Sequence, residues 1–101
     1  MLDIEPRGET TVVRVIGECD FGSRDALTRT LAEVAATGVP RVIVSLDACE
    51  YIDSSIVTAL LQYRNKLRER FVLGVPEDRR SIHRILAVLG LHATLDVRPA
   101  V

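Results

Sequence analysis

The residues best placed to do chemistry stand together in Tyr51-Ile52-Asp53-Ser54-Ser55-Ile56-Val57, where an acid and two hydroxyls separate an apolar run from a run of helix formers. The apolar run Val42-Ile43-Val44-Ser45-Leu46 predicts a buried strand before them, and Val57-Thr58-Ala59-Leu60-Leu61-Gln62 a helix after them. A helix start leaves backbone N–H groups without partners and carries a partial positive charge. Short side chains that accept hydrogen bonds belong there, and so does a phosphate on serine. The segment therefore reads as a switch rather than a catalytic centre. Asp53 is placed to cap the helix. Ser55 is either a helix-start hydroxyl bonding to the backbone or an additional acceptor for such a phosphate.

Six further elements must position this junction. Residues 2–6 and 11–17 predict two strands joined by a tight turn at Arg7-Gly8-Glu9. Ser23 is placed to cap a helix with Leu27, Leu31, Val34 and Ala35 on one face, ending near Thr37-Gly38 with Pro40 beyond. The central strand is expected over 41–46 and the second helix over 54–70, its tail of Arg64, Lys66, Arg68 and Arg70 complementing the negative end of the helix dipole. Residues 71–75 form a short strand. Pro76-Glu77-Asp78 opens a third helix with Ile82, Ile85, Leu86 and Leu89 in register and Gly90 as its stop, and residues 94–97 add a final strand. The expected architecture is α/β, a single domain over 1–101 with a mixed four- to five-stranded sheet and helices mainly on one face.

Composition narrows the function classes. The 101 residues, 48% of them hydrophobic, suit one compact domain. A net charge of −1 from 13 basic and 14 acidic residues offers no general attraction to nucleic acid or an anionic membrane, so direct DNA binding and membrane insertion are not expected. The only aromatics are Phe21, Phe71, Tyr51 and Tyr63, too few to stack single-stranded bases. With no span of about 20 apolar residues and no basic leader, a cytoplasmic protein is the default expectation. Cys19 and Cys49 lack the spacing of a disulfide framework or zinc site and read as reduced packing residues. The two histidines, His83 and His92, fall on and just beyond the third helix. His83 lies off the apolar stripe and is expected to be exposed, which gives Ser54 no base. With no glycine-rich phosphate loop either, the chain is expected to be no enzyme and to need no cofactor or metal.

Val15-Ile16-Gly17-Glu18-Cys19-Asp20, the Val42 to Ser55 stretch with Asp53-Ser54-Ser55, and Val75-Pro76 followed by a helix ending Leu86-Ala87-Val88-Leu89-Gly90-Leu91 together resemble the STAS domain of anti-sigma factor antagonists. The resemblance covers nearly the whole chain. It implies that Ser54, the first serine of the family's Asp-Ser-Ser-Gly motif, is phosphorylated by a partner that is both a serine kinase and an anti-sigma factor. It further implies a cytoplasmic regulator of transcription reset by a phosphatase, with Asp20, Phe21, Asp53, Ser55 and Ile56 on the partner-facing surface, Asp20 being otherwise a turn-forming or capping residue. The alternative reading is a non-phosphorylated STAS scaffold in a stress-signalling or membrane-transport assembly. Three departures from the family pattern stand out. Ile56 replaces the motif's glycine, where it would either block a kinase loop or supply an apolar contact. Arg68-Glu69-Arg70-Phe71 lacks the usual glycine before the next strand. The end at Asp96 to Val101 leaves no room for the family's last helix, and a homodimer covering the exposed surface is expected.

Overall fold

The structure is a computed structural model that describes residues 1–99, the side chain of Phe21 excepted. Its elements in chain order are β1 (Leu2–Arg7), β2 (Thr10–Cys19), a 3-10 turn (Phe21–Ser23), α1 (Arg24–Ala36), β3 (Arg41–Ile52), α2 (Ser54–Leu67), a second 3-10 turn (Arg68–Arg70), β4 (Phe71–Gly74), α3 (Arg80–Val88) and β5 (Val97–Arg98). The strands lie side by side in the order β1-β2-β3-β4-β5. The β1–β2 hairpin is antiparallel and every other pair is parallel, so the sheet is mixed and five-stranded as the element order predicts.

Alternation along the strands decides where the core sits. Val13 and Val15, Val42, Val44 and Leu46, and Phe71 and Leu73 project to one face, where they join Leu27, Leu31, Val34, Leu60, Ile82 and Leu86 of the three helices in a single cluster. Burial of this aliphatic mass drives folding. The other face differs in kind. Val12 and Val72 are buried outside that cluster. Next to them a polar row runs through Arg14 and Ser45, which are paired in register. The Arg14 guanidinium lies 3.9 Å from Asp3, 3.9 Å from Glu5 and 3.5 Å from Asp47. The Ser45 hydroxyl donates to Asp47 Oδ1 at 2.9 Å, which satisfies the one buried polar side chain among the described residues.

Several boundaries differ from expectation. The central strand continues to Ile52 because Ala48, Cys49, Tyr51 and Ile52 pair with Ile16, Gly17, Glu18 and Cys19 across two register shifts. Each bulge breaks the period-two pattern, so Asp47 and Glu50 interrupt a strand that in space continues. Ser23 does not cap α1: its backbone is already helical, at φ −94° and ψ −10°, and its side chain makes no capping bond. α3 begins at Arg80, four residues after Pro76, because Pro76 to Arg79 close a turn through the Arg79 N–H on the Pro76 carbonyl. The Arg79 guanidinium donates to the Asp47 carbonyl at 2.6 Å and the Ser81 hydroxyl to the Glu50 carbonyl at 3.1 Å, tying the start of α3 to β3. The last strand is Val97–Arg98.

α2 stops at Leu67 instead of running to Arg70. Arg68 closes it with φ 57° and ψ −132°, a conformation that suits glycine and crowds a Cβ, while its N–H still reaches the Arg64 carbonyl. The chain therefore makes the turn that a glycine would make, without the glycine. Arg70 fastens the second 3-10 turn by donating through Nε and Nη2 to the Val39 carbonyl, at 3.1 and 2.7 Å.

Candidate functional site

The site begins where β3 leaves the sheet. Ile52 is buried, Asp53 turns the chain in an extended conformation (φ −107°, ψ −178°), and α2 starts at Ser54. The Val57 N–H donates to the Asp53 carbonyl at 3.1 Å, the first bond of the helix. The Asp53 carboxylate completes the cap: Oδ1 accepts from the Ile56 N–H at 3.1 Å and from the Ser55 hydroxyl at 2.6 Å. The capping role is therefore real, and it reaches Ile56 N–H at the third helical position, the usual geometry for an aspartate N-cap. Ser55 donates to this carboxylate rather than to the backbone, a charge-assisted bond being the stronger kind.

Ser54 is the exposed member of the trio. With Asp53 engaged by its two neighbours, the Ser54 hydroxyl makes no hydrogen bond within the described chain, and the residue's carbonyl accepts from Thr58 Oγ1 at 3.0 Å. A group transferred to that oxygen would project into solvent at the positive end of α2.

Ile56 overturns the expectation placed on it. Its side chain is 0% exposed and packs in the same cluster as Val57, Leu60 and the sheet. It is core, and it neither obstructs an approaching loop nor offers a contact surface. At the third helical position the side chain points inward while the first two stay outside, a consequence of the 100° step between successive helix residues.

Asp20 stands in the loop that leaves β2. Its Oδ1 accepts from the Gly22 N–H at 3.0 Å and its carbonyl from the Ser23 N–H at 2.9 Å, so it shapes the turn into α1 while remaining exposed. The expectation for Phe21 as a contact falls on a side chain outside the described part. Tyr51, 49% exposed near the end of β3 before Asp53, is an exposed aromatic that sequence patterning left unassigned. Only its place on a bulged strand turns it outward.

Beneath the site both cysteines are buried and free. Burial, with Cys49 close by as the next cause, pushes the Cys19 thiol up to about 11. Burial also raises Cys49, whose Sγ lies 3.2 Å from the Tyr51 carbonyl. Both are protonated packing groups and poor nucleophiles. His83 is half-buried rather than exposed, with Nδ1 3.0 Å from His92 Nε2 and Nε2 3.0 Å from the Pro76 carbonyl. A carbonyl only accepts, so His83 Nε2 carries a proton, and the two rings serve to fasten the loops around α3. No described helix is long and apolar enough to cross a membrane.

Comparison with solved structures places the fold. The chain superposes on an anti-sigma factor antagonist from Mycobacterium paratuberculosis with a TM-score of 0.90 at 24% identity, covering 100% of this chain and 86% of that one. The Bacillus cell fate determinant SpoIIAA in its phosphorylated form gives 0.71 at 20% identity, covering 97% and 91%. A sulfate transporter family protein from Wolinella succinogenes gives 0.75 at 20% identity, covering 94% and 80%. No curated protein matches the chain by sequence. The STAS domain profile matches residues 1–101, and with the mixed sheet, the capped α2 and the ordered motifs around it, this chain belongs to the STAS domain family.

Proposed function

We propose that this STAS domain is an anti-sigma factor antagonist that binds a serine-kinase anti-sigma factor and is released when Ser54 is phosphorylated. The observation that carries the reading is the division of labour at the start of α2: Asp53 and Ser55 are committed to the cap, and Ser54 alone presents a hydroxyl to solvent. The fold likeness to an anti-sigma factor antagonist and to SpoIIAA supports it.

Magnitudes indicate how the switch acts. A phosphate of about −1.5 to −2 charge gains only about 0.3 to 1 kcal/mol from an exposed helix start. Held unpaired in an interface, the same charge costs several kcal/mol, and the Asp53 carboxylate beside it adds repulsion. Phosphorylation thus changes binding far more than folding. Asp20 and Tyr51, exposed on the segments that flank α2, join Ser54 in the partner-facing surface.

The test is incubation with candidate serine-kinase anti-sigma factors and ATP, with phosphate located by mass spectrometry. Label at Ser54, lost in Ser54→Ala, is expected, together with weaker complex formation by Ser54→Asp. Absence of label combined with binding indifferent to Ser54→Asp would sink the reading. It would favour a non-phosphorylated scaffold, to which the likeness with the sulfate transporter family protein lends support.

A further inference from the structure

His83 and His92 join α3 to the segment that follows it through a bond whose strength depends on how many protons the two rings hold. Their facing nitrogens, Nδ1 of His83 and Nε2 of His92, are 3.0 Å apart, and the ring planes are parallel with 5.2 Å between centroids. The gap between the two nitrogens takes up most of the centroid separation, so the rings meet edge to edge in an N–H···N bond rather than one over the other. Its direction is fixed from the other side of His83. There Nε2 lies 3.0 Å from the Pro76 carbonyl, which only accepts, so Nε2 holds the proton, Nδ1 offers a lone pair and His92 Nε2–H donates to it.

This arrangement accommodates one added proton and not two. On His92 Nδ1 the first proton leaves the N–H···N bond in place and makes its donor cationic, the stronger kind of bond. A second proton has only the His83 Nδ1 lone pair to occupy, and there it sets two N–H groups and two cations face to face with no acceptor between them. Neither ring makes an ion pair among the described residues, so no carboxylate offsets the second charge. The charged residues on the segments around the pair are Glu77, Asp78 and Arg79 before α3, Arg80 and Arg84 on it, Asp96 and Arg98, which pair with each other at 3.1 Å, and Arg64 of α2, whose Nε donates to the Thr94 carbonyl at 2.9 Å. Cations outnumber anions among them, which works further against the doubly charged pair.

The segment held by this bond is otherwise lightly attached. Beyond His92 the chain passes through Leu95, which is fully buried, to β5, a strand of two residues paired only as Leu73 with Val97 and Gly74 with Arg98 among the described residues. The His83–His92 bond is the one side-chain to side-chain bond between α3 and this segment in the described chain. We propose that the two histidines are a proton-operated clasp. With at most one ring charged it holds residues 92–98 against α3 and β4; with both charged, in acid, it releases them, freeing β5 and uncovering Leu95. The released state binds one proton more than the held state, so release grows as pH falls through the range of about 8 to 5 in which an imidazole in water changes charge. No residue of the Asp53-Ser54-Ser55 site takes part, and the clasp does not depend on phosphorylation.

The experiment follows hydrogen exchange of the Leu95 and Val97 amides, which donate to the Leu91 and His92 carbonyls at 2.9 and 3.0 Å, by NMR on the whole chain. Between about pH 7.5 and about pH 5, protection at both amides, corrected for intrinsic exchange, is expected to fall about tenfold or more, as uptake of one extra proton requires, while Val13 and Val44 keep theirs. His92→Gln keeps an N–H for His83 Nδ1, can turn its carbonyl to a charged His83 and cannot itself charge, so its protection is expected to be equal at the two pH values. In the parent chain the imidazole nitrogen shifts are expected to show His83 protonated at Nε2 alone at the higher pH, and the two rings to titrate in coupled steps. Unchanged protection in the parent, an equal fall at Val13 and Val44, an equal fall in His92→Gln, or a neutral His83 with its proton on Nδ1 would each overturn the proposal.

Discussion

The two ends of α2 solve the same problem with different residues. At each end this chain lacks a glycine that the STAS pattern provides: Ile56 stands at one, and Arg68 closes the other. At the N-terminal end the substitution is absorbed, because the third helical position points inward and the Ile56 side chain fills core volume at 0% exposure. At the C-terminal end it is not absorbed, because the turn itself requires φ 57° with ψ −132° and Arg68 must adopt it. A missing glycine costs little where glycine served to keep space open, and much where it served backbone conformation.

Restoring glycine at each end should therefore act with opposite signs. Ile56→Gly removes a fully buried side chain and loosens the first turn, and a loss of about 3 to 5 kcal/mol is expected from cavity formation and helix propensity in urea or thermal unfolding. Retained stability would show that the pocket around Ile56 collapses freely. Arg68→Gly relieves the backbone and is expected to stabilise by about 1 to 2 kcal/mol, raising Tm. An unchanged or lower Tm would mean that the Arg68 side chain or unfolded-state entropy outweighs the relief, and the contrast between the ends would fail.

Asp53→Ala tests the cap alone. It frees the Ile56 N–H and the Ser55 hydroxyl together, and a loss of about 1 kcal/mol is expected. Asp53→Asn, which keeps an acceptor, should recover most of it; failure to do so would assign the effect to charge rather than to the hydrogen bond. Ser54→Asp should be the mildest for folding, within about 1 kcal/mol of the parent, since the added charge meets only an exposed helix start. A larger shift would show that the Ser54 side chain is structural and not free to carry a phosphate.

One further prediction concerns the thiols beneath the site. The folded Cys19 is raised from 9.0 to about 11, so the unfolded chain loses its proton first. Stability is then full below about pH 9 and falls as pH rises toward 11. Replacing Cys19 by alanine should flatten that alkaline slope in unfolding curves taken across this range, and an unaltered slope would assign it to other groups.

The parts of the fold that were legible share one property: their signal is local. The helix stripe of α1, the hairpin turn at Gly8 and the Asp53-Ser54-Ser55 cap each follow from residues within one or two turns of each other. The signal failed where partners are distant. The extension of β3 beyond Leu46 depends on pairing with Ile16 to Cys19 through two bulges, and bulges scramble the alternation from which strands are read. The place of the α3 start against the sheet is set by bonds from Arg79 and Ser81 to the β3 backbone, more than thirty residues away. His83 read as exposed because its partner His92 lies beyond the helix, in a loop that sequence patterning does not place.

By itself the sequence determined the class of the fold, the family and the chemistry available at residues 53–55, because composition, periodicity and a short polar motif are written in adjacent positions. Only the tertiary structure decided that Ser54 alone of the trio is exposed, that Ile56 belongs to the core, and that β1 keeps an unpaired edge beside an apolar groove. Each of those depends on which side of an element faces the sheet, and that is fixed by packing among segments far apart in the chain.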